Sequence, residues 1–189
     1  IGAEISRQLI KLQPKRIIIL DQNEFSLYKI EKELSNLCFE ENIELITSLS
    51  DATEYKLLEK ILLTYDCQII FHAAAYKHVP LVQKNTIQAI KNNIFSTWFI
   101  CQLAESLNIK KVIIISSDKA VRPTNIMGVT KRISELIAQG FANKIKSKKI
   151  SNRKEKSNLT IFTIVRFGNV LGSSGSVVPL FNQQIFTIL

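Results

Sequence analysis

Short apolar runs alternate with amphipathic stretches along most of the chain. Each run is rich in β-branched residues, which is typical of strands buried on both faces of a parallel sheet. The predicted strands cover residues 16–20, 43–47, 67–71, 111–115 and 159–165. Apolar positions recur at helical spacing between them, and the predicted helices include residues 53–64, 81–107 and 127–144, with a final helix near Pro179. This alternation predicts an α/β fold with a doubly wound parallel sheet.

The composition agrees with one globular domain. The chain has 189 residues, of which 46% are hydrophobic and 22% are charged, and this balance excludes disordered and fibrous classes. It contains no apolar stretch of 18 or more residues and does not open with a signal peptide, so we expect a cytoplasmic protein without a membrane span in this chain.

The positive charge is concentrated in one segment. The formal net charge is +9, and residues 144–156 hold seven of the 25 Lys and Arg residues with a single Glu. We interpret this segment as a solvated helix end and surface loop, with membrane or nucleic-acid contact as the alternative. Because no aromatic residue interrupts the segment, we predict no nucleic-acid partner.

The cysteines do not indicate a metal or redox site. Cys38, Cys67 and Cys101 are odd in number, far apart and without a CxxC pair. We expect small buried side chains in a reducing compartment and no bound metal.

The first half of the chain carries features of a dinucleotide site. Gly2 stands before the first predicted helix, where the third glycine of a Rossmann phosphate-binding turn is found, and Asp21 ends the next strand about twenty residues later. An acid at Asp21 can hold the ribose hydroxyls and favours NAD over NADP, although nearby basic groups can reverse that preference. Asp51 and Ala52 follow the next strand, at a common adenine contact. Three small residues that allow close approach of a dinucleotide follow the strand after that, namely Ala73, Ala74 and Ala75.

The second half carries candidate acid–base chemistry. Ser117, Asp118 and Lys119 follow a predicted parallel strand, at the end where open α/β sheets bind ligands. An adjacent Asp and Lys can act as acid and base if their surroundings separate their pKa values, although a surface pair in a turn explains the same residues. Met127 and Lys131 share a helix face at the i, i+4 spacing that carries Tyr and Lys in short-chain dehydrogenases. Methionine cannot transfer a proton.

Four segments together resemble a known family. They are residues 20–28 (LDQNEFSLY), 73–80 (AAAYKHVP), 117–128 (SDKAVRPTNIMG) and 166–172 (RFGNVLG). They are similar to the polysaccharide-biosynthesis (CapD-like) branch of the extended short-chain dehydrogenases, which are nucleotide-sugar 4,6-dehydratases acting typically on UDP-N-acetylglucosamine. Methionine at the Tyr position is usual in the larger members of this branch, so Met127 supports the resemblance.

The resemblance implies a reaction and residue roles. Tightly bound NAD or NADP would be recycled while a UDP-sugar becomes a 4-keto-6-deoxy sugar. Lys119 would be the base at C5, Asp118 the acid at the C6 hydroxyl, and Ser117 a partner of the C4 oxygen. Lys131 would hold the nicotinamide ribose. The resemblance places three further residues at the substrate, with Asn169 at the diphosphate: Lys77, His78 and Asn169. The acceptor of the C4 hydroxyl proton stays open between Lys119 and a water.

Both ends of the chain suggest a partial domain. The chain starts without Met in a helical pattern and ends in an apolar one. We expect residues 1–189 to be a partial NAD(P)-binding Rossmann domain without its first strand, with most of the sugar-binding part absent. Such a chain alone would be inactive and marginally folded, whereas the intact protein would form a homo-oligomer that could be anchored to the cytoplasmic face of the membrane. Another nucleotide-sugar epimerase or reductase, or a noncatalytic remnant with a basic interaction surface, are the alternatives.

Overall fold

A computed structural model describes residues 1–151, 159–168 and 170, and the side chains of all of these except 148–151. Strands and helices alternate through it, as the sequence predicts. The strands are β1 (Arg16–Asp21), β2 (Glu44–Leu49), β3 (Ile69–His72), β4 (Lys111–Ser117) and β5 (Ile161–Phe167). The helices are α1 (Gly2–Ile10), α2 (Glu24–Glu40), α3 (Tyr55–Thr64), α4 (Val79–Lys84), α5 (Thr86–Ala89), α6 (Ser96–Ser106) and α7 (Ile126–Ser151), with a π-helical turn at Ile90–Phe95 and a 3₁₀ turn at Asp118–Ala120.

All strand pairs are parallel, and they form two groups. β1 pairs with β2, from Arg16 opposite Glu44 to Asp21 opposite Leu49. In the other group β4 lies between β3 and β5. Because each group is parallel, the carboxyl ends of its strands share one edge.

The edges of β1 and β3 are not joined by a strand pairing in the described residues, although one hydrogen bond links β1 to the segment that precedes β3. Arg16 Nη1 donates to the Tyr65 carbonyl oxygen at 2.8 Å, just before β3. In the doubly wound order 3-2-1-4-5-6, β2 and β1 fill the first two positions and β3 to β5 fill the last three. The described part of the chain therefore leaves the central position between β1 and β3 without a strand, in agreement with the predicted fold class.

Two apolar clusters cover the strand groups, and Leu20 of β1 also packs against the cluster around β4. Ile17 of β1 packs with Leu34 and Cys38 of α2, whereas Val112 of β4 packs with Leu103 of α6. Cys38 and Cys101 are buried and Cys67 is half-buried. Burial raises the pKa of all three thiols, that of Cys101 to about 12, so they are unreactive thiols at neutral pH.

Several predicted boundaries are wrong. β5, expected at residues 159–165, is Ile161–Phe167, and β2, expected at residues 43–47, is Glu44–Leu49. The long helix over 81–107 is divided, since α4 ends before Asn85 and the π-helical turn inserts one residue into the helical path. β3 begins at Ile69, after a turn in which Asp66 has a φ of 49°. α7 extends past residue 144, because Ile145 packs into the core with 6% of its surface exposed.

Two features of the sequence fall partly or wholly beyond these residues. The predicted helix near Pro179 lies outside the described residues, as do residues 152–156 of the basic segment. No helix in the described ranges combines the length and the apolar character needed to cross a membrane.

Candidate active site

The turn after β4 brings Ser117, Asp118 and Lys119 together. Ser117 Oγ accepts from the Lys119 backbone N–H at 3.2 Å and donates to Asp118 Oδ1 at 2.8 Å. The Lys119 ammonium lies 3.3 Å from the same carboxylate oxygen. The Ser117 hydroxyl and then Lys119 lower the pKa of Asp118, so this carboxyl is ionised at neutral pH. Both charged side chains are exposed, and their ion pair is therefore weak enough to open for a ligand.

Gly128 allows this turn to lie directly on α7. A Cβ added at Gly128 would stand under 3.0 Å from the Lys119 carbonyl oxygen and 3.1 Å from Pro123 Cβ. Asn125 Oδ1 accepts from the Gly128 backbone N–H at 2.9 Å and so caps the start of α7. Only a residue without a side chain permits this approach between the turn and the helix.

Lys131 lies one helical turn further along α7. Its Nζ donates to the Ile115 carbonyl oxygen of β4 at 2.7 Å. Burial lowers the pKa of Lys131 to about 8, and the charge of Glu135 opposes that shift. The side chain is therefore mainly an ammonium ion at neutral pH, held at the end of β4.

Met127 faces a different environment. It is buried with 4% of its surface exposed and packs with Val82 of α4 and Ala89 of α5. The residue at the expected Tyr position is thus part of a small apolar cluster.

The predicted dinucleotide contacts lie along the carboxyl edges of the strands. Asp21 ends β1, where its Oδ1 accepts from the Asn23 backbone N–H at 2.8 Å, and Gly2 opens α1. A Cβ at Gly2 would lie 3.9 Å from Ala73 Cβ, so α1 begins beside the loop after β3. The remaining predicted contacts also follow strand ends, with Ala52 buried: Asp51 and Ala52 after β2, and Ala73, Ala74 and Ala75 after β3.

The predicted substrate residues are only partly described. Lys77 and His78 are exposed in the loop that precedes α4, and His78 occupies the N-cap position of that helix. Asn169 lies outside the described residues.

Asn93 connects this loop to α7, and sequence reasoning missed it. Asn93 Oδ1 accepts from the Tyr76 backbone N–H at 2.8 Å, and its Nδ2 donates to the Tyr76 carbonyl oxygen at 3.1 Å. The same Nδ2 lies 3.0 Å from Thr130 Oγ1, next to Lys131. The π-helical turn places this side chain inside, with 1% of its surface exposed. Adjacent Asn residues at predicted core positions were the available signal, because buried amides require partners.

Two buried ionisable residues were also missed. His72 ends β3, and its Nε2 lies 3.0 Å from Thr97 Oγ1. Burial, assisted by the charge of Lys131, lowers the pKa of His72 to about 3, so the ring is neutral at physiological pH. Glu135 lies fully buried on α7. The signal for His72 was a polar residue closing an apolar strand, whereas Glu135 repeats the i, i+4 spacing after Lys131.

The family follows from comparison of the whole chain with known proteins. The model of the family described as "Polysaccharide biosynthesis protein" matches residues 1–187. The chain belongs to this family. The assignment confirms the resemblance found in the four sequence segments.

Curated relatives of the chain carry three kinds of name. The chain is 40% identical over 185 residues to the capsular polysaccharide biosynthesis protein CapD of Staphylococcus aureus, matching 98% of this chain and 29% of that protein. It is 31% identical to a UDP-N-acetylglucosamine 4,6-dehydratase (inverting) of Campylobacter jejuni, over 92% of this chain and 46% of that protein. It is also 35% identical to a UDP-glucose 4-epimerase of Rickettsia rickettsii, over 72% of this chain and 37% of that protein. The chain thus spans less than half the length of each.

Solved structures agree on the fold. The X-ray structure of Pen from Bacillus thuringiensis matches with a TM-score of 0.78 and 31% identity, over 98% of this chain and 53% of that one. A DesIV double mutant, a dTDP-glucose 4,6-dehydratase from Streptomyces venezuelae solved with NAD, matches with a TM-score of 0.75 and 17% identity, over 98% and 59%. The chain therefore shares the α/β fold of these solved structures.

Proposed function

We propose that residues 1–189 form part of the dinucleotide-binding domain of an NAD(P)-dependent nucleotide-sugar 4,6-dehydratase. Its product would be a UDP-4-keto-6-deoxy-N-acetylhexosamine for surface polysaccharide synthesis, made by a homo-oligomer. The observation that carries the proposal is the Ser117–Lys119 turn, which lies on α7 close to Lys131 at the carboxyl edge of the sheet. Family membership supports the same conclusion.

The residues at the carboxyl edge fit a dinucleotide. Gly2 and Ala73 leave room beside the start of α1, Asp21 offers a carboxylate at the end of β1, and Lys131 offers a buried ammonium. A bound nicotinamide would supply the hydride acceptor for C4 of the sugar and the hydride donor for C6. Asp21 would hold the adenosine ribose hydroxyls and Lys131 the nicotinamide ribose.

Lys119 is the proposed base at C5. To accept that proton the amine must be neutral, and the Asp118 carboxylate at 3.3 Å is the group that can take the ammonium proton. A sugar that covers the turn expels water and favours this neutral form of the pair, because desolvation disfavours separate charges. Lys119 then removes the C5 proton once the 4-ketone has made it acidic.

Asp118 completes the proton balance. In the neutral pair it carries the proton that it donates to the C6 hydroxyl, which leaves as water. Lys119 holds the proton taken from C5, which can exchange with solvent, and returns a proton to C5 when hydride reaches C6. A proton from solvent, which balances the one released from the C4 hydroxyl, then restores the Lys119 ammonium, so the pair regains the ionised form of the resting turn. Ser117, which bonds Asp118 at 2.8 Å, is within the same turn and would bond the C4 oxygen. Met127 takes no part in proton transfer. The C4 hydroxyl proton passes to a water, either directly or through Lys119, which must then release it to solvent before it acts at C5.

The test is Lys119→Ala in the full-length protein with UDP-N-acetylglucosamine. We expect formation of the 4-keto-6-deoxy sugar and wash-in of solvent deuterium at C5 to fall about 10²–10⁴-fold, the usual contribution of a general base. Lys110→Ala is the matched control, because Lys110 is an exposed lysine just before β4 that contacts Gln68. Deuterium wash-in at the wild-type rate in Lys119→Ala would remove Lys119 from this role.

A 4-epimerase is the second candidate, favoured by the Rickettsia relative. An epimerase inverts C4 and leaves C5 untouched. A C4 epimer without deuterium at C5 would therefore select the epimerase and reject the dehydratase.

A further inference from the structure

A single buried carboxylate joins three elements beside the candidate active site. Glu135 lies four residues after Lys131 on α7, and its side chain has no exposed surface. Arg166 donates to both oxygens, from Nε to Oε1 and from Nη2 to Oε2, each at 2.7 Å. Ser116 Oγ donates to Oε1 at 2.7 Å, and Arg132 Nη1 donates to Oε2 at 2.9 Å. The carboxylate thus links α7 with the carboxyl ends of β4 and β5.

We propose that Glu135 is a positioning residue that sets how Lys131 and the Ser117–Lys119 turn stand relative to the end of β5. This inference rests on the proposed function for its catalytic consequence. Glu135 acts through other side chains and does not itself contact substrate.

The strand register makes the link specific. Ser116 and Arg166 are direct partners in the pairing of β4 with β5, so Glu135 holds two facing strand positions at once. Lys131 bonds the carbonyl of Ile115, the residue just before Ser116. Lys131 and Glu135 of α7 therefore bond consecutive residues of β4, Ile115 and Ser116. The catalytic turn begins at the very next residue, Ser117.

The charge of Glu135 argues for more than packing. Arg166, followed by Ser116 and Arg132, lowers the pKa of Glu135 to about 2, so the group stays ionised at all working pH values. Burying a carboxylate requires partners with good geometry, and an apolar residue of similar size often stabilises a fold as well or better. A bidentate pair with Arg166, in contrast, defines distance and orientation as an apolar contact does not.

The position of Arg166 extends the effect to the end of β5. Phe167, the last residue of the strand, follows it directly. Holding Arg166 therefore holds the end of β5 relative to Lys131. The arginine side chain is 43% exposed, so its guanidinium lies at the surface while its partner is buried.

The experiment compares Glu135→Gln with the double variant Glu135→Gln/Arg166→Gln in the full-length protein. In Glu135→Gln an amide replaces the carboxylate, so one position that accepted from an arginine becomes an NH₂ donor. This single variant can therefore destabilise the fold. The double variant removes both charges and allows the two amides to bond each other, so we expect its free energy of unfolding to return towards wild type. Glu105→Gln is the matched control, since Glu105 also pairs with a basic residue of α7, Lys144 at 2.8 Å.

The decisive readouts are kcat against KM and amide hydrogen exchange of residues 117–119. In the double variant we expect kcat about 10²-fold below wild type, with KM nearly unchanged, the loss usual for a misplacement of about 1 Å. We also expect faster exchange of the turn amides at unchanged global stability. Recovery of kcat and of slow exchange together with stability would overturn the proposal. If the wild type makes no 4-keto-6-deoxy sugar, the proposed function fails, and the exchange rates alone decide whether Glu135 holds the turn.

Discussion

A methyl group at Gly128 is expected to move the Ser117–Lys119 turn without removing any of the proposed catalytic groups. The added Cβ of Gly128→Ala would meet the Lys119 carbonyl oxygen at under 3.0 Å. This atom belongs to the backbone, so no side-chain rotation relieves the clash. Restoring an ordinary contact distance requires a shift of about 1 Å between the turn and α7.

Stability and activity should respond differently to this shift. Overpacking costs about 1–3 kcal/mol, and the better helix propensity of Ala offsets about 1 kcal/mol of it. We therefore expect a net loss of up to about 2 kcal/mol in the free energy of unfolding. The displaced Lys119 should lower kcat about 10²-fold, whereas binding of the UDP-sugar, judged by KM, should change little.

Gly140→Ala provides the matched control on the same helix. A Cβ there has no atom within 4 Å among the neighbours that the structure describes. We expect this variant to gain about 0.5–1 kcal/mol from helix propensity and to keep wild-type kcat. Urea unfolding and initial rates of 4-keto-6-deoxy sugar formation measure both effects. Wild-type kcat in Gly128→Ala would show that the contact between the turn and α7 does not position Lys119.

Two further predictions concern buried polar groups. Asn93→Leu removes both partners of the Tyr76 backbone, and each unsatisfied group costs about 1–3 kcal/mol, so urea unfolding should show a loss of at least about 2 kcal/mol; a loss below 1 kcal/mol would contradict the role of Asn93. His72 stays neutral in the fold down to about pH 3, whereas its unfolded form binds a proton below about pH 6.5. Stability should therefore fall with decreasing pH across that interval by up to about 1.4 kcal/mol per pH unit, and His72→Gln should show a shallower slope. An unchanged slope in His72→Gln would assign the acid sensitivity to other groups.

β4 was predictable because burial on both of its faces gives a continuous apolar run, whereas β3 and β5 each keep exposed apolar residues such as Ile69 and Ile161. Val112 and Ile114 are buried on β4 and Ile115 lies beside them, so both sides of the strand are apolar and the run is continuous. The helices were harder to place. The π-helical turn at Ile90–Phe95 keeps an apolar pattern close to that of an α-helix, and periodicity alone does not reveal the inserted residue.

The candidate site likewise contains residues that the sequence predicts and residues that it does not. Ser117, Asp118 and Lys119 are neighbours in sequence, so their proximity needs only a turn after a strand. Glu135 and Arg166 are 31 residues apart, and their pairing depends on how α7 crosses β4 and β5. No local pattern encodes that crossing, which is why these residues became visible only in the folded structure.

The contacts that position the Ser117–Lys119 turn are separate from those around Asp21 in the predicted nucleotide site. Contacts within one unit of β4, β5 and α7 position the proposed catalytic residues. The turn that carries Lys119 lies on α7 at Gly128, whereas Lys131 and Glu135 join α7 to β4 and β5. Asp21 lies on the β1–β2 pair, which reaches the loop after β3 through Gln22 Nε2, 3.4 Å from the Tyr76 hydroxyl. A change within the β4–β5–α7 unit should therefore alter kcat through the position of the turn, because the hydrogen bonds that set the turn do not pass through β1 or β2. The same reasoning explains why kcat, and not KM, is the quantity on which the Gly128 and Glu135 variants are judged.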